Sequence, residues 1–247
     1  MGLAGVHNRP ARFLSDDFGD SIGLMGVGVD FLSEVRERGF AFLGEYCPEL
    51  PTSDILSHFG VPVALGATGA AHELRPIQLS EASPNTYSGN FGVGPFPMHT
   101  DLAHWRMPPR YILLRCTIGF EDVTTLITDG FALIRKMGEV HATRTIMKPR
   151  RPVAGGLQLL HLFQKARCGS WRIRWDEIFL RPASEAGQYG MEIFQRKLLE
   201  AETEVVCLKN RGDTLVFDNW KMIHGRSAVP PHCYTRTIDR AYLGELL

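Results

Sequence analysis

His99 and Asp101 stand two residues apart in Phe96-Pro97-Met98-His99-Thr100-Asp101-Leu102, an otherwise largely apolar stretch. On an extended strand such a pair points to one face, imidazole beside carboxylate. A metal ion is the group that would use both. In a chain with nine histidines a single His-x-Asp also arises readily by chance, with a polar turn as the plain alternative. The pair therefore needs a third ligand from elsewhere in the chain.

Val216-Phe217-Asp218-Asn219-Trp220-Lys221-Met222-Ile223-His224-Gly225-Arg226 offers one. It places His224 after an apolar run introduced by Gly212-Asp213. Two neutral imidazoles and one carboxylate make a facial donor set that suits Fe(II) and leaves three coordination positions open. His224 has to come from a distant strand, because three ligands on one strand cannot cap one face of an octahedron. Further on, Arg236-Thr237-Ile238-Asp239-Arg240 puts two arginines at even spacing on a terminal strand, hence on one face. A guanidinium turned inward requires an anionic partner, since breaking a buried ion pair costs about 3–5 kcal/mol. A dicarboxylate would satisfy it bidentately.

Together, His99-Thr100-Asp101, Val123-Thr124-Thr125-Leu126, the run from Asp218 to Arg226, and Arg236 to Arg240 resemble the iron(II)/2-oxoglutarate dioxygenases of the taurine dioxygenase and clavaminate synthase-like group. The likeness runs from about residue 29 to the C-terminus. It implies a double-stranded β-helix core (jelly-roll, cupin-like) and the cofactors Fe(II), 2-oxoglutarate and O2. By the same resemblance His99, Asp101 and His224 are the iron ligands. Arg236 holds the distal carboxylate of 2-oxoglutarate, and Thr125 shares it, with Thr124 the neighbouring alternative. Arg240 is a candidate anchor for an anionic substrate group. Tyr87, Ser88 and Asn90 fall where the group places substrate-side residues, although a plain turn accounts for them equally well.

The implied reaction oxidises an unactivated C–H of a small molecule, such as an amino acid or related carboxylate, while 2-oxoglutarate is decarboxylated to succinate. Because Asp101 is present, the resemblance implies hydroxylation or a related oxidation rather than halogenation. A non-catalytic cupin-like metal-binding protein, or a zinc hydrolase with the same ligands, would leave Arg236 and Arg240 unexplained.

The elements that must position these residues can be read from pattern. Val29, Leu32, Val35 and Arg36 have helical spacing, Gly39 breaks the helix, and Phe40-Ala41-Phe42-Leu43 reads as a strand. A short helix follows near 53–59, capped by Ser53 or Thr52 and stopped by Gly60. Residues 110–119 form a buried strand. Residues 124–138 run from a strand end into a helix stopped at Gly138. The stretches 156–163 and 170–180 read as strands. Residues 184–202 form an amphipathic helix with Met191, Phe194, Leu198 and Leu199 on one face. The sequence then turns at Arg211-Gly212-Asp213 between two strands, and a terminal strand closes the chain. Many short strands with a few helices predict a mainly β double sheet with peripheral helices.

Several other residues carry expectations. Asp176 reads as a strand-end salt bridge, and Asp218 and Asn219 as supports for the strand bearing His224. Trp105 reads as a packed aromatic corner beside His104. His141, His161 and His232 read as structural or exposed.

At 247 residues, with 44% hydrophobic and 22% charged residues, the chain has the composition of a soluble globular protein. A single domain over 1–247 is expected, with 1–28 as a flexible extension. Lys+Arg and Asp+Glu balance at 27 each, which argues against a nucleic-acid or membrane partner and leaves a small-molecule substrate. Five scattered cysteines without a Cys-x-x-Cys suggest neither a disulfide framework nor a thiolate zinc site. With no secretory-signal layout in the first twenty residues, a cytoplasmic location is expected.

Overall fold

The computed structural model describes residues 29–65, 69–152 and 156–247. The expected N-terminal extension, 1–28, lies outside them. Helix α1 (Val29–Glu37) buries Phe31 and Val35, and Gly39, at φ 94°, turns the chain into β1 (Phe40–Leu43). Helix α2 (Thr52–Phe59) buries Ile55, Leu56 and Phe59 and ends as Gly60 opens β2 (Gly60–Pro62). Its N-cap is Pro51, whose extended backbone already has the form of a cap, while the Ser53 hydroxyl turns to Asp54. Neither expected capping residue is used. After β3 (Ala71–Leu74), a single-turn helix α3 (Tyr87–Phe91), capped by Thr86, stands before β4 (Phe96–His99).

The central run follows expectation: β5 (Tyr111–Ile118), then β6 (Thr124–Asp129) into α4 (Gly130–Met137), closed at Gly138. Helix α5 (Glu139–Arg144) leads to β7 (Ile146–Pro149). The next strands are shorter than expected: β8 (Leu160–His161), β9 (Phe163–Lys165), β10 (Trp171–Ile173) and β11 (Leu180–Pro182). Between β10 and β11 the chain leaves the ladder, because Asp176 Oδ1 accepts from the backbone N–H of Ile178 and Phe179 and folds the segment into a turn. Helix α6 (Glu185–Leu199) starts at Ser184, whose hydroxyl accepts from Gly187 N–H. Phe194 is buried on it, but Leu199 is exposed, since the helix ends there with nothing to pack against. Strands β12 (Glu204–Cys207), β13 (Thr214–Asp218), β14 (Met222–Arg226) and β15 (Thr237–Leu246) complete the chain.

The predicted mainly β architecture is what these elements build. One antiparallel sheet has the order β1-β13-β5-β15-β2, with β3 also paired to β15. A second has the order β12-β6-β14-β4. Their facing surfaces meet in one core, in which Ile112, Leu114, Leu215, Phe217 and Tyr242 of the first sheet pack against Ile127, Val206 and Met222 of the second. A further core, with Trp175 and Phe194 at 4.7 Å between ring centroids, seats α4 and α6 on the outer side of the second sheet. Among the described residues no helix is long and apolar enough to cross a membrane.

Gly190 shows how closely α6 is seated. A Cβ there would overlap Thr145 Oγ1 and lie 2.9 Å from Thr145 Cβ and Cγ2. Thr145 is buried and its hydroxyl is bonded to His141 O, so it has little room to move. Gly190→Ala is expected to destabilise the fold by about 1–3 kcal/mol, the usual cost of overpacking. Urea denaturation should show the loss as a lower midpoint at unchanged slope.

Candidate active site

The second sheet brings the histidines together through its ladder. His224 on β14 is the direct cross-strand partner of His99 at the end of β4, and their ring centroids are 4.4 Å apart. Asp101 is not on the strand. The strand ends at His99, and Asp101 sits in the following turn, where Leu102 adopts φ 53°. What aims Asp101 is Asn219. Its Oδ1 accepts from Asp101 N–H at 2.8 Å and its Nδ2 donates to Asp101 O at 3.1 Å. Asn219 therefore supports Asp101 rather than the His224 strand. Asp218 holds the turn into β14, accepting from Trp220 N–H, and pairs with the distant Arg110.

The three side chains converge. His99 Nε2 lies 3.3 Å and His224 Nε2 3.6 Å from the same oxygen, Asp101 Oδ1. His99 Nδ1 is 2.8 Å from Pro97 O. A carbonyl only accepts, so Nδ1 carries the proton and a neutral His99 presents the bare Nε2 lone pair to the cluster. All three residues are buried. Three electron-pair donors facing one another away from water are the arrangement a divalent cation satisfies, and their chemistry fits iron.

The other oxygen of Asp101 is fully used. Oδ2 accepts from Tyr242 Oη at 2.7 Å and from Arg240 at 3.0 Å. Burial works against the carboxylate charge, but Arg240, then His224 and His99, outweigh it and hold Asp101 well below the usual carboxylate range. His224 is pushed down to about 4 by burial and by neighbouring His99, so its imidazole is neutral at pH 7. Burial also acts to lower His99, but the Asp101 hydrogen bond and charge prevail and raise it.

Around this cluster, Tyr87 stacks on His99 at 4.1 Å and Phe217 lies 4.7 Å from His224. The Tyr87 hydroxyl is buried beside Asp176, and both pKa values are raised, chiefly by burial. Asp176 has no cation partner among the described residues, so the expected salt bridge is absent. His104 faces the same carboxylate, with a buried, unpartnered Nδ1. Trp105 is partly exposed rather than packed in a corner. Asn90 is exposed and donates to Thr86 O within α3, and Ser88 is half-buried on the same helix. Of the upstream trio, only Tyr87 reaches the cluster. Elsewhere His161 bonds Thr143 O, His232 meets Asp122, and His141 is exposed.

Arg236 lies just before β15, near Cys116, Cys207 and Cys233, whereas Arg240 reaches Asp101. It is buried, and its side chain has no carboxylate or carbonyl partner among the described residues. The other buried arginines do. Arg115 binds Tyr46 O and Cys47 O, Arg172 binds Arg106 O, and Arg174 binds Ala103 O and Trp105 O. Even Arg226, whose pKa is lowered to about 10 by burial and by Arg236 nearby, donates to Gly94 O at 2.7 Å. Thr125 is buried and stands directly across the ladder from Arg226, while Thr124, half-buried, stands across from Cys207. Tyr242 is the support that motif reading missed. It was accessible in principle, two residues beyond Arg240 and hence on its face.

No protein-family model matches the chain, and no curated protein matches it in sequence. Solved structures do match. An asparagine oxygenase in complex with Fe(II), 2S,3S-3-hydroxyasparagine and succinate superposes at TM-score 0.61 and 15% identity, over 87% of this chain and 77% of its own. The non-heme iron oxygenase OrfP in complex with Fe and α-ketoglutaric acid gives TM-score 0.64 at 17% identity, over 87% and 78%. PvcB from Pseudomonas aeruginosa gives 0.62 at 14% identity, over 88% and 80%. PvcB is an Fe, α-ketoglutarate dependent oxygenase from an isonitrile synthetic pathway. This chain has the fold of those oxygenases.

Tyr242→Phe removes one donor from a buried carboxylate and leaves the ring in place. Hydrogen bonds to charged groups contribute about 1.5–3 kcal/mol. Fe(II) affinity, read by competition with a chelating dye, should fall about 10-fold or more, as it does when the groups that hold a metal ligand in place are lost. An unchanged affinity would mean that Arg240 alone holds Asp101.

Proposed function

We propose that this chain is a single-domain, cytoplasmic Fe(II)/2-oxoglutarate-dependent oxygenase. In this reading it hydroxylates, or otherwise oxidises, an unactivated C–H of a small amino-acid-like substrate. The observation that carries it is the pairing of two features. A three-donor cluster turns its lone pairs inward, and a buried guanidinium, Arg236, has among the described residues none of the carbonyl partners its counterparts have. A burial that leaves an arginine unpaired is costly, so Arg236 points to an anion that enters from outside.

His99, Asp101 and His224 would hold the iron. Bound with 2-oxoglutarate and O2, iron supplies an oxidant able to take hydrogen from an unactivated carbon, with CO2 and succinate as co-products. The chain's own contribution is placement. Arg240 and Tyr242 occupy Asp101 Oδ2, so the carboxylate offers the cluster one oxygen. Arg236, with Thr125, would bind the distal carboxylate of the cosubstrate and fix its orientation. Tyr87 and Phe217 wall the histidines and exclude water.

Substrate chemistry follows from the remaining polar groups. Arg240 uses one terminal nitrogen on Asp101 while its side chain stays partly exposed, which leaves the other terminal nitrogen capacity for a substrate carboxylate. Asp176, buried with no cation partner among the described residues and close to Tyr87 and His104, would accept from an N–H group such as an amide, ammonium or guanidinium. A zinc hydrolase or a metal-binding protein without turnover would have no use for Arg236.

Arg236→Ala should weaken 2-oxoglutarate binding about 100-fold or more, matching the loss of a buried ion pair, while Fe(II) affinity is unchanged. Calorimetric titration of the iron-loaded, anaerobic protein would measure it. Equal cosubstrate affinity in the variant would sink the assignment. For Asp176→Asn, succinate release measured across a panel of amino acids should show a raised KM for nitrogen-rich side chains with little change in cosubstrate affinity. An unaltered substrate profile would remove Asp176 from the pocket.

A further inference from the structure

A second group of metal-ligating side chains lies apart from the candidate active site. Asp122, His232 and Cys233 bring a carboxylate oxygen, an imidazole nitrogen and a thiol sulfur within 4.8 Å of one another. Asp122 lies in the loop that leads into β6. His232 and Cys233 belong to the single 3-10 turn Pro231–Cys233, which Pro230 and Pro231 introduce. His232 Nε2 is 2.7 Å from Asp122 Oδ2. Cys233 is buried against Val123 and Val229, and the Phe120 ring meets His232 edge-on at 6.4 Å.

The geometry points to a second site, formed by Asp122, His232 and Cys233, for a divalent transition metal of the zinc class. An exposed Asp–His pair is screened by water and contributes little on its own, so the pair does not explain why a buried thiol sits at its base. The three donors together do form a recognisable set. Thiolate and imidazole favour zinc-like ions over magnesium or calcium, and three protein ligands leave a fourth position for water. The turn presets two of the ligands, which limits the ordering that binding requires. Burial and the Asp122 charge raise the Cys233 thiol, with Arg236 acting the other way, so binding would have to displace a firmly held thiol proton and should strengthen as pH rises.

The position gives the site a consequence, which rests on the function proposed above although metal binding itself does not. Asp122 leads directly to Thr124 and Thr125, and Arg236 N–H donates to Cys233 O at 2.9 Å. A metal bound there would tie together the two stretches of chain that carry the groups proposed to hold the cosubstrate carboxylate.

Cobalt(II) tests the site in the full-length protein. His99, Asp101 and His224 carry no sulfur, so a near-ultraviolet thiolate-to-cobalt charge-transfer band separates cobalt at a cysteine from cobalt at the candidate active site, and its dependence on His232 and Asp122 separates Cys233 from the other free cysteines. The expected result is a saturable band that vanishes in Cys233→Ser and needs about 10-fold or more cobalt to form in His232→Ala and in Asp122→Ala. Both of these replace exposed side chains, so they decide the question even if Cys233→Ser does not fold. No band in the wild-type protein, or one indifferent to His232 and Asp122, would overturn the proposal. The readout involves no turnover, so it can succeed or fail independently of the oxygenase reading.

Discussion

One buried carboxylate organises the centre of this protein. Asp101 has its two oxygens engaged from opposite sides, Oδ1 by the histidines and Oδ2 by Tyr242 and Arg240. A carboxylate taken out of water must be fully satisfied or it will bind a proton. Both sheets contribute to satisfying it. The second brings His99 and His224, and the first brings Arg240 and Tyr242 on β15. The double sheet is therefore needed to keep Asp101 charged, and a charged Asp101 is what would let the cluster hold a cation.

The same logic separates Arg236 from the rest of its kind. Arginines buried in this chain serve as staples that gather loop carbonyls. Arg115 does so for the segment 46–50 and Arg174 for the loop after Asp101. Among the described residues Arg236 gathers no carbonyl, and a charged neighbour it does have is another arginine, Arg226. Two guanidiniums placed side by side in a protein interior repel each other, and an anion between or beside them relieves that repulsion.

The parts of this arrangement that depend on local pattern could be read from the sequence. The His-x-Asp pair, the turn at Arg211-Gly212-Asp213, the terminal strand and the helix at 185–199 all follow from spacing and residue type. Long-range partners could not be read. Asp101 lies near His99 not because both share a strand face, as the spacing implied, but because Asn219, far along the chain, brackets its backbone. Arg236 and Arg240 were expected on one face. Arg240 reaches Asp101 and Arg236, just before β15, lies near Cys116 and Arg226, neighbours that only the assembled sheets supply. Asp176 was read as a salt-bridge partner. Its proximity to Tyr87 and His99 depends on a turn that only the assembled sheets create. The expectation for Leu199 failed for the opposite reason: helical period identified a face but not where the helix would run out of neighbours.

The central claim is that this cluster holds ferrous iron in a form that chelates a 2-oxo acid. Adding 2-oxoglutarate to the iron-loaded protein without oxygen, and recording the visible spectrum, tests it most directly. The expected result is a weak metal-to-ligand charge-transfer band that saturates with cosubstrate and is absent from His99→Ala. Iron that binds tightly at His99, Asp101 and His224 yet gives no band would contradict it.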